Sequence, residues 1–397
     1  MRQGGFFSYI VANKWLRANY GKPLRQWMKQ QNILEVIDFG DLPVFKQATI
    51  YPCIVVIQKK DPGSSFRAVT IKTLEFIDLQ AHVSQHRHDV RQDALGESGW
   101  SLANRSSQDV LDKLRKAGVS LGEYVNGKIY YGIKTGLNEA FVIDDAIRQK
   151  LIADDPKSAE VIKPFLAGRD IKRYQPVFSE KYVLFTRRGI DIEKYAAIRN
   201  YLAQFKERLM PRSKEWKGEK WQGRKPGAYQ WYEIQDTVDY YAEFEKPKIL
   251  WPGISAEVTA FAFDELGYLG NDNNQIIESA DKYLIGILNS KNMKFFLIHI
   301  CDKVQGGFYR LKIAYIQKLP IRTINFDDPA DVARHDQVVS LVDQMLELNK
   351  RLAESKVPQT TEMLKRQIES TDRQIDQLVY RLYDLTEEEI KIVESET

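Results

Sequence analysis

Phe6-Phe7-Ser8-Tyr9-Ile10-Val11-Ala12, led in by Gly4-Gly5 and followed by Asn13-Lys14-Trp15-Leu16, decides how this chain is read. The run is almost continuously apolar. That is the pattern of a strand covered on both faces of a parallel sheet, since a strand with one wet face alternates. A helical stretch follows, with Leu24, Trp27 and Met28 on one face. Ile33 to Phe39 is a second strand, Gly40-Asp41-Leu42-Pro43 supplies turn chemistry, and Ile50 to Ile57 is a third strand ending in Lys59-Lys60. Strand, helix, strand, loop, strand over residues 1–60 is too little for a complete parallel sheet. It predicts the end of a doubly wound α/β domain. Without partner strands this region should expose sheet edge and apolar surface.

Outward from there, Asp61-Pro62-Gly63-Ser64-Ser65 reads as a loop or hinge. Residues from about 66 to 325 mix short strands, helices and many aromatic residues, an α+β pattern. Asp109 to Lys116 predicts a helix, Tyr182-Val183-Leu184-Phe185 and Lys248-Ile249-Leu250-Trp251 predict strands, and Asp281 to Ile300 predicts one amphipathic helix. In the tail, Val338, Leu341, Met345, Leu348 and Leu352 recur at alternating three- and four-residue spacing. Leu364, Ile368, Ile375, Leu378 and Leu382 do the same, with polar Thr371 in the seam and Pro358 between the runs. This predicts an antiparallel helical hairpin, serving either as a spacer or as a plain cap on the main domain.

At 397 residues the chain can bury more than one core. Its longest apolar runs are too short to cross a bilayer, and the opening residues do not have the pattern of a signal peptide. Two cysteines, Cys53 and Cys301, cannot make a disulfide framework. These features predict a cytoplasmic protein with no membrane partner. A net charge of +4 decides nothing about nucleic acid, so the distribution of charge carries the argument.

The richest stretch runs from Phe205 to Tyr232. Lys206, Arg208, Arg212, Lys214, Lys217, Lys220, Arg224 and Lys225 are interleaved with Trp216, Trp221, Tyr229, Trp231 and Tyr232. Proline and glycine keep much of it out of regular structure. Cations grip phosphates without reading sequence, and aromatic or Arg side chains on a loop reach base edges or stack. A solvated charged loop is the alternative, because Glu207, Glu215 and Glu219 dilute the charge. A second basic set is Lys163, Arg169, Lys172 and Arg173, followed by Arg187-Arg188-Gly189 at the end of a strand. For any one of these, surface salt bridging is the alternative. Gln305-Gly306-Gly307-Phe308-Tyr309-Arg310 is a glycine turn carrying Arg310. Lys134-Thr135-Gly136 lacks the glycine-rich lead of a phosphate-binding loop but offers a cation and a hydroxyl to DNA. His82, His86, His88 and Asp89 do not match a zincin, so no metal is expected. No Ser/His/Asp set or paired-carboxylate motif stands out, and no catalytic residue is assigned.

In chain order, several stretches resemble the back half of the TaqI-like and Eco57I-like N6-adenine DNA methyltransferases of restriction-modification systems. They are Gly4 to Leu16, Leu24-Arg25, Ile37-Asp38-Phe39, Val44-Phe45, Gly132 to Phe141, Ile162 to Ile171, Trp231-Tyr232, Lys246-Pro247-Lys248-Ile249, Leu288-Asn289-Ser290, Leu319-Pro320-Ile321 and Leu378 to Thr386. Each is unspecific alone, and the match lies in their order and spacing. The resemblance implies that residues 1–62 are the last strands of a methyltransferase sheet with its closing antiparallel hairpin. It makes residues 66–325 a target recognition domain and 331–397 the helical hairpin of a specificity part. It places Phe45 where an aromatic ring contacts a flipped adenine, with a plain hairpin core residue as the equal alternative. The methyl-donor glycine motif and the Asn/Asp-Pro-Pro-Tyr/Phe motif, which precede the opening strand in full-length members, do not occur in these residues. The expectation is therefore double-stranded DNA as ligand, a catalytic methyltransferase half or subunit as partner, and S-adenosylmethionine bound by the complete enzyme and not by this chain alone. A subunit with cryptic catalytic activity and a non-binding remnant of a split gene are the rival readings.

Overall fold

The computed structural model describes every residue except 46, 49, 94, 97, 98 and 305. The predicted order at the start holds: β1 (Phe6–Ala12), α1 (Lys22–Lys29), β2 (Asn32–Asp38) and β3 (Pro52–Gln58). The sheet does not end there. β4 (Ser65–Thr70) and β5 (His88–Arg91) join it, in the order β1-β3-β2-β4-β5, so the expected boundary at residue 62 falls inside one sheet. β2 and β4 are parallel and the other neighbours antiparallel. β2 and β3 thus form the expected antiparallel hairpin, with a register shift between Ile33 and Glu35.

Alternation along the inner strands sends Ile33, Val36, Val55 and Ile57 to a core with Trp15, Met28 and Trp100, and Ile37 and Val69 to a second, smaller cluster. Trp15 and Trp100 meet edge to face at 5.3 Å. β1 departs from the sequence reading. It is an edge strand with β3 as its neighbour, and Phe6 (69% exposed) and Tyr9 (60%) face outward. Its continuous apolar pattern signals two faces fit for burial, and among the described residues only Val11 of this strand packs on the core. The expected exposed edge and apolar surface on residues 1–60 are both there.

The middle of the chain is built on two four-stranded sheets. One runs Leu269–Gly270, Ile162–Leu166, Lys181–Leu184, Val142–Asp144. The other runs Ala262–Asp264, Lys248–Pro252, Asn274–Glu278, Ile129–Tyr131. Lys248 is fully buried in the second, donating to Phe244 O (2.6 Å) and to the Asp264 carboxylate. Arg105–Ala117 contains the predicted helix. The single helix expected over Asp281–Ile300 is two, Lys282–Leu288 and Lys291–Ile300. The break has a cause: buried Asn289 uses both ends of its amide on the Phe261 backbone, and Ser290 then caps the second helix.

The tail is the predicted hairpin, Pro329–Glu354 against Pro358–Leu382, plus a helix not foreseen, Glu387–Glu396, opened by a Thr386/Glu389 capping box. Val338, Val342, Met345, Ile375, Val379 and Leu382 belong to the same core as Trp251 and Phe295. The near half of the hairpin is therefore a cap on the domain. Further out, Leu348 and Leu364 are buried without joining that core. No described helix is long and apolar enough to cross a membrane.

Candidate nucleic-acid interface

Four segments are knitted together around Arg224: the turn 134–136, the strand end 186–189, residues 209–212 and residues 229–236. Arg224 is 4% exposed. Its Nε donates to Leu209 O (2.8 Å), Nη1 to Thr135 O (2.8 Å) and Glu233 O (2.7 Å), and Nη2 to Gln230 O (3.1 Å) and Trp231 O (3.0 Å). All five N–H donors of the guanidinium are thereby engaged. Burial pulls its pKa down to about 10. The backbone closes the same neck: Arg224 N donates to Met210 O and Arg212 N to Arg224 O.

Glu233, buried and not singled out by sequence, accepts from Gly189 N and Gln230 N, each at 2.7 Å. Arg188 donates to Gln235 O at 2.6 Å. Thr186 donates to Tyr232 O, and Ile234 N to Thr186 O. Gly136 sits at φ +81°, where a Cβ would lie 2.7 Å from Arg224 Cδ, so only glycine fits this turn. A buried arginine and a carboxylate serving two backbone donors leave no periodic trace in sequence, which is why this frame could not be read there.

The frame corrects two of the expected DNA contacts. Arg224 has no donor left for a phosphate. Thr135 is 1% exposed and spends its hydroxyl on Asn138 Oδ1 (2.6 Å) and Leu137 N (3.2 Å). Arg173 is also committed: it makes a two-pronged pair with Asp372 (2.8 and 2.9 Å) and donates to Asn289 O (2.6 Å), joining the domain to the tail.

The loop that Arg224 closes carries the opposite kind of residue. Arg212, Lys214, Lys217, Lys220 and, just past the neck, Lys225 are exposed. Among the described residues none of these five is in an ion pair, whereas nearby Arg208 is paired with Glu139 at 2.6 Å. Trp216 and Trp221 meet edge to face at 5.1 Å on the same loop. Arg187 Cζ lies over Tyr241, 3.7 Å from the ring centroid, and Lys134 is half-buried in the turn 134–136.

On a separate turn, Arg169 (side chain 82% exposed) lies 4.0 Å from the Asp170 carboxylate, and Lys172 is exposed. Arg310 is half-buried in a three-stranded sheet with Ile254–Ser255 and Asp302–Val304. Its glycine turn reaches the first sheet through Gly307 N and Asp41 Oδ2 (3.4 Å). Gln305 lies outside the described residues. Phe45, on the β2–β3 connection that also carries Asp41, is 44% exposed and so is not a core residue. His82 and His86 share a helical face and stack at 4.3 Å. No group of three or more His, Cys, Asp or Glu suited to a metal occurs among the described residues.

The chain thus has a mixed α/β fold with a basic, aromatic loop fastened at its neck, and it is similar to known proteins of restriction-modification systems. Residues 163–321 match the TaqI-like C-terminal specificity domain. Residues 1–45 match the Eco57I restriction-modification methylase. The chain is thus a relative of the Type II methyltransferases of restriction-modification systems. It is 25% identical over 338 residues to the Type II methyltransferase M.PaeR7I of Pseudomonas aeruginosa, covering 80% of this chain and 55% of that protein. To the Type II methyltransferase M.BstVI of Geobacillus stearothermophilus it is 22% identical, covering 90% and 64%. To the Type II restriction enzyme and methyltransferase RM.Eco57I of Escherichia coli it is 22% identical, covering 86% and 37%. The chain therefore spans roughly half the length of the curated relatives it matches. Among solved structures, the Type IIL restriction-modification enzyme MmeI, determined in complex with DNA, shares the fold, with a TM-score of 0.61, 13% identity, and coverage of 97% of this chain and 48% of that one.

Proposed function

We propose that this chain is the sequence-recognition part of an adenine-N6-methylating restriction-modification enzyme and that duplex DNA is its ligand. The observation that carries the reading is the loop 211–224. Five exposed cations, without ion pairs among the described residues, are gathered on and beside a loop whose neck is fastened by a buried arginine. Unpaired surface cations release counterions on meeting phosphates, and a fastened loop loses little entropy on binding. In this reading Arg212, Lys217, Lys220 and Lys225 grip the backbone, with Arg169, Lys172 and Arg310 extending the footprint. Arg187, Arg188 and Lys134 line the base of the loop. Phe45 would approach the target base from the catalytic side.

S-adenosylmethionine and methyl transfer would belong to a catalytic methyltransferase half or subunit. Its docking surface would be the free edge of β1 and the groove between β1, β3 and α1. That groove is a cavity of about 560 Å³ lined by Phe7, Tyr9, Val11, Leu24 and Trp27. A gel-shift titration against a pool of random duplexes, at low and high salt, tests the function. Salt-sensitive binding is expected. Its absence, both alone and with the catalytic partner added, refutes the proposal.

A further inference from the structure

The two indoles at the tip of the loop are held in an unusual way. Trp216 is 44% exposed and Trp221 half-buried, 5.1 Å apart with planes at 64°. Each ring lies against a glycine. A Cβ on Gly218 would stand 2.3 Å from Trp216 Cζ2, and one on Gly223 would stand 2.7 Å from Trp221 Nε1 and 2.3 Å from Met210 O. Gly223 is required by its close approach to Met210 O, and a Cβ on Gly218 would have to push the Trp216 ring out of its place. Trp221 Nε1 is buried with no acceptor among the described residues. A buried indole donor without a partner and a tryptophan left 44% exposed both work against the loop's own stability.

Resting on the DNA-recognition reading, we propose that Trp216, braced by Gly218 and Trp221, is a nucleobase-stacking element. Its open face would receive a base unstacked from the duplex while Lys217 and Lys220 hold the adjoining phosphates. The combination of an exposed aromatic face and surrounding unpaired cations is what nucleic acid offers partners for: every base has a π face beside a charged backbone. An acidic protein surface would engage the lysines and leave the indole idle. Stacking differs from phosphate contact in one measurable respect, because it releases no counterions.

The test uses the full chain and a labelled pool of random duplexes, read by anisotropy at several salt concentrations and by quenching of tryptophan emission. Trp216→Ala should weaken binding roughly five- to a hundredfold with the salt slope unchanged, and should remove most of the quenching. Trp216→Phe should fall between the two. Gly218→Ala keeps both indoles and every cation, and should weaken binding like Trp216→Ala because its Cβ displaces the ring. If wild type binds and Trp216→Ala binds equally well, the stacking role is wrong while DNA recognition stands. If wild type itself shows no salt-sensitive binding, both fall.

Discussion

Arg224→Ala separates a structural arginine from a DNA contact. The guanidinium donates to five backbone carbonyls drawn from three stretches of chain. A hydrogen bond to a charged group contributes about 1.5–3 kcal/mol. Against this stands the burial that lowers the pKa from 12.5 to about 10, a cost of about 3 kcal/mol. With the hydrogen bonds taken at the low end of their range, the net loss on truncation is about 4 kcal/mol. The loss is local, so the sensitive assay is hydrogen exchange at Arg212 N and Arg224 N, the two amides that close the neck. If opening limits exchange there, protection should fall by up to about a thousandfold. Trypsin should cut at Arg212, Lys214 and Lys217 sooner than in wild type. Arg224→Lys should lie between, since an ammonium has three donors and no planar fork. Unchanged protection, together with weaker DNA binding and a salt slope smaller by about one, would refute the structural assignment and return Arg224 to the phosphate contacts.

Lys217→Ala and Lys220→Ala should each reduce the slope of log affinity against log salt by about 0.9 and leave neck protection unchanged, as read by anisotropy titration. Lys248→Met should destabilise by about 3–5 kcal/mol in urea unfolding, because it leaves Asp264 buried and unpaired. Adding Asp264→Asn should restore much of that loss. Asp376 is 3% exposed, and burial, offset by the hydrogen bond from Lys291 N and reinforced by Asp372, raises its carboxyl pKa to about 6. Its folded form holds the proton more tightly than the unfolded chain does, so this group disfavours folding increasingly as pH rises from about 4 to 6. Asp376→Asn should therefore raise the melting temperature at pH 7 and have little effect at pH 4, as measured by calorimetry.

Periodicity made the hairpin tail legible, because Val338, Met345 and Leu348 on one helix and Leu364, Ile375 and Leu378 on the other recur at helical spacing and are buried. It made β2 and β3 legible for the same reason. It failed where a single side chain overrides a local pattern. Asn289 interrupts an otherwise continuous apolar helix by binding the Phe261 backbone, a partner 28 residues away. β1 shows a second limit: an apolar pattern reports fitness for burial, and whether burial occurs depends on what lies alongside. At the candidate interface, composition located the basic, aromatic stretch but could not sort its cations. Arg224 and Lys225 are adjacent in sequence and opposite in role, one buried under five carbonyls and the other in water.

That sorting also bears on how specificity could change. The side chains that fasten the loop, Arg224 and Glu233, make their hydrogen bonds to backbone atoms of the segments they join. Backbone acceptors are present whatever the side chains are. The tip between Arg212 and Gln222 is exposed along most of its length and, apart from the Trp216–Trp221 pair and the Gly218–Trp216 contact, makes few demands on side-chain identity. A loop tip can therefore vary on this frame without loss of fold, as expected where a rigid scaffold presents a variable surface. The tail obeys the reverse rule. Arg173 and Asp372 join it to the domain side chain to side chain, so a change in either needs a matching change in the other. Under the proposed function, substitutions that alter DNA preference should accumulate at 212–222, and those that alter how the tail sits on the domain should occur in pairs.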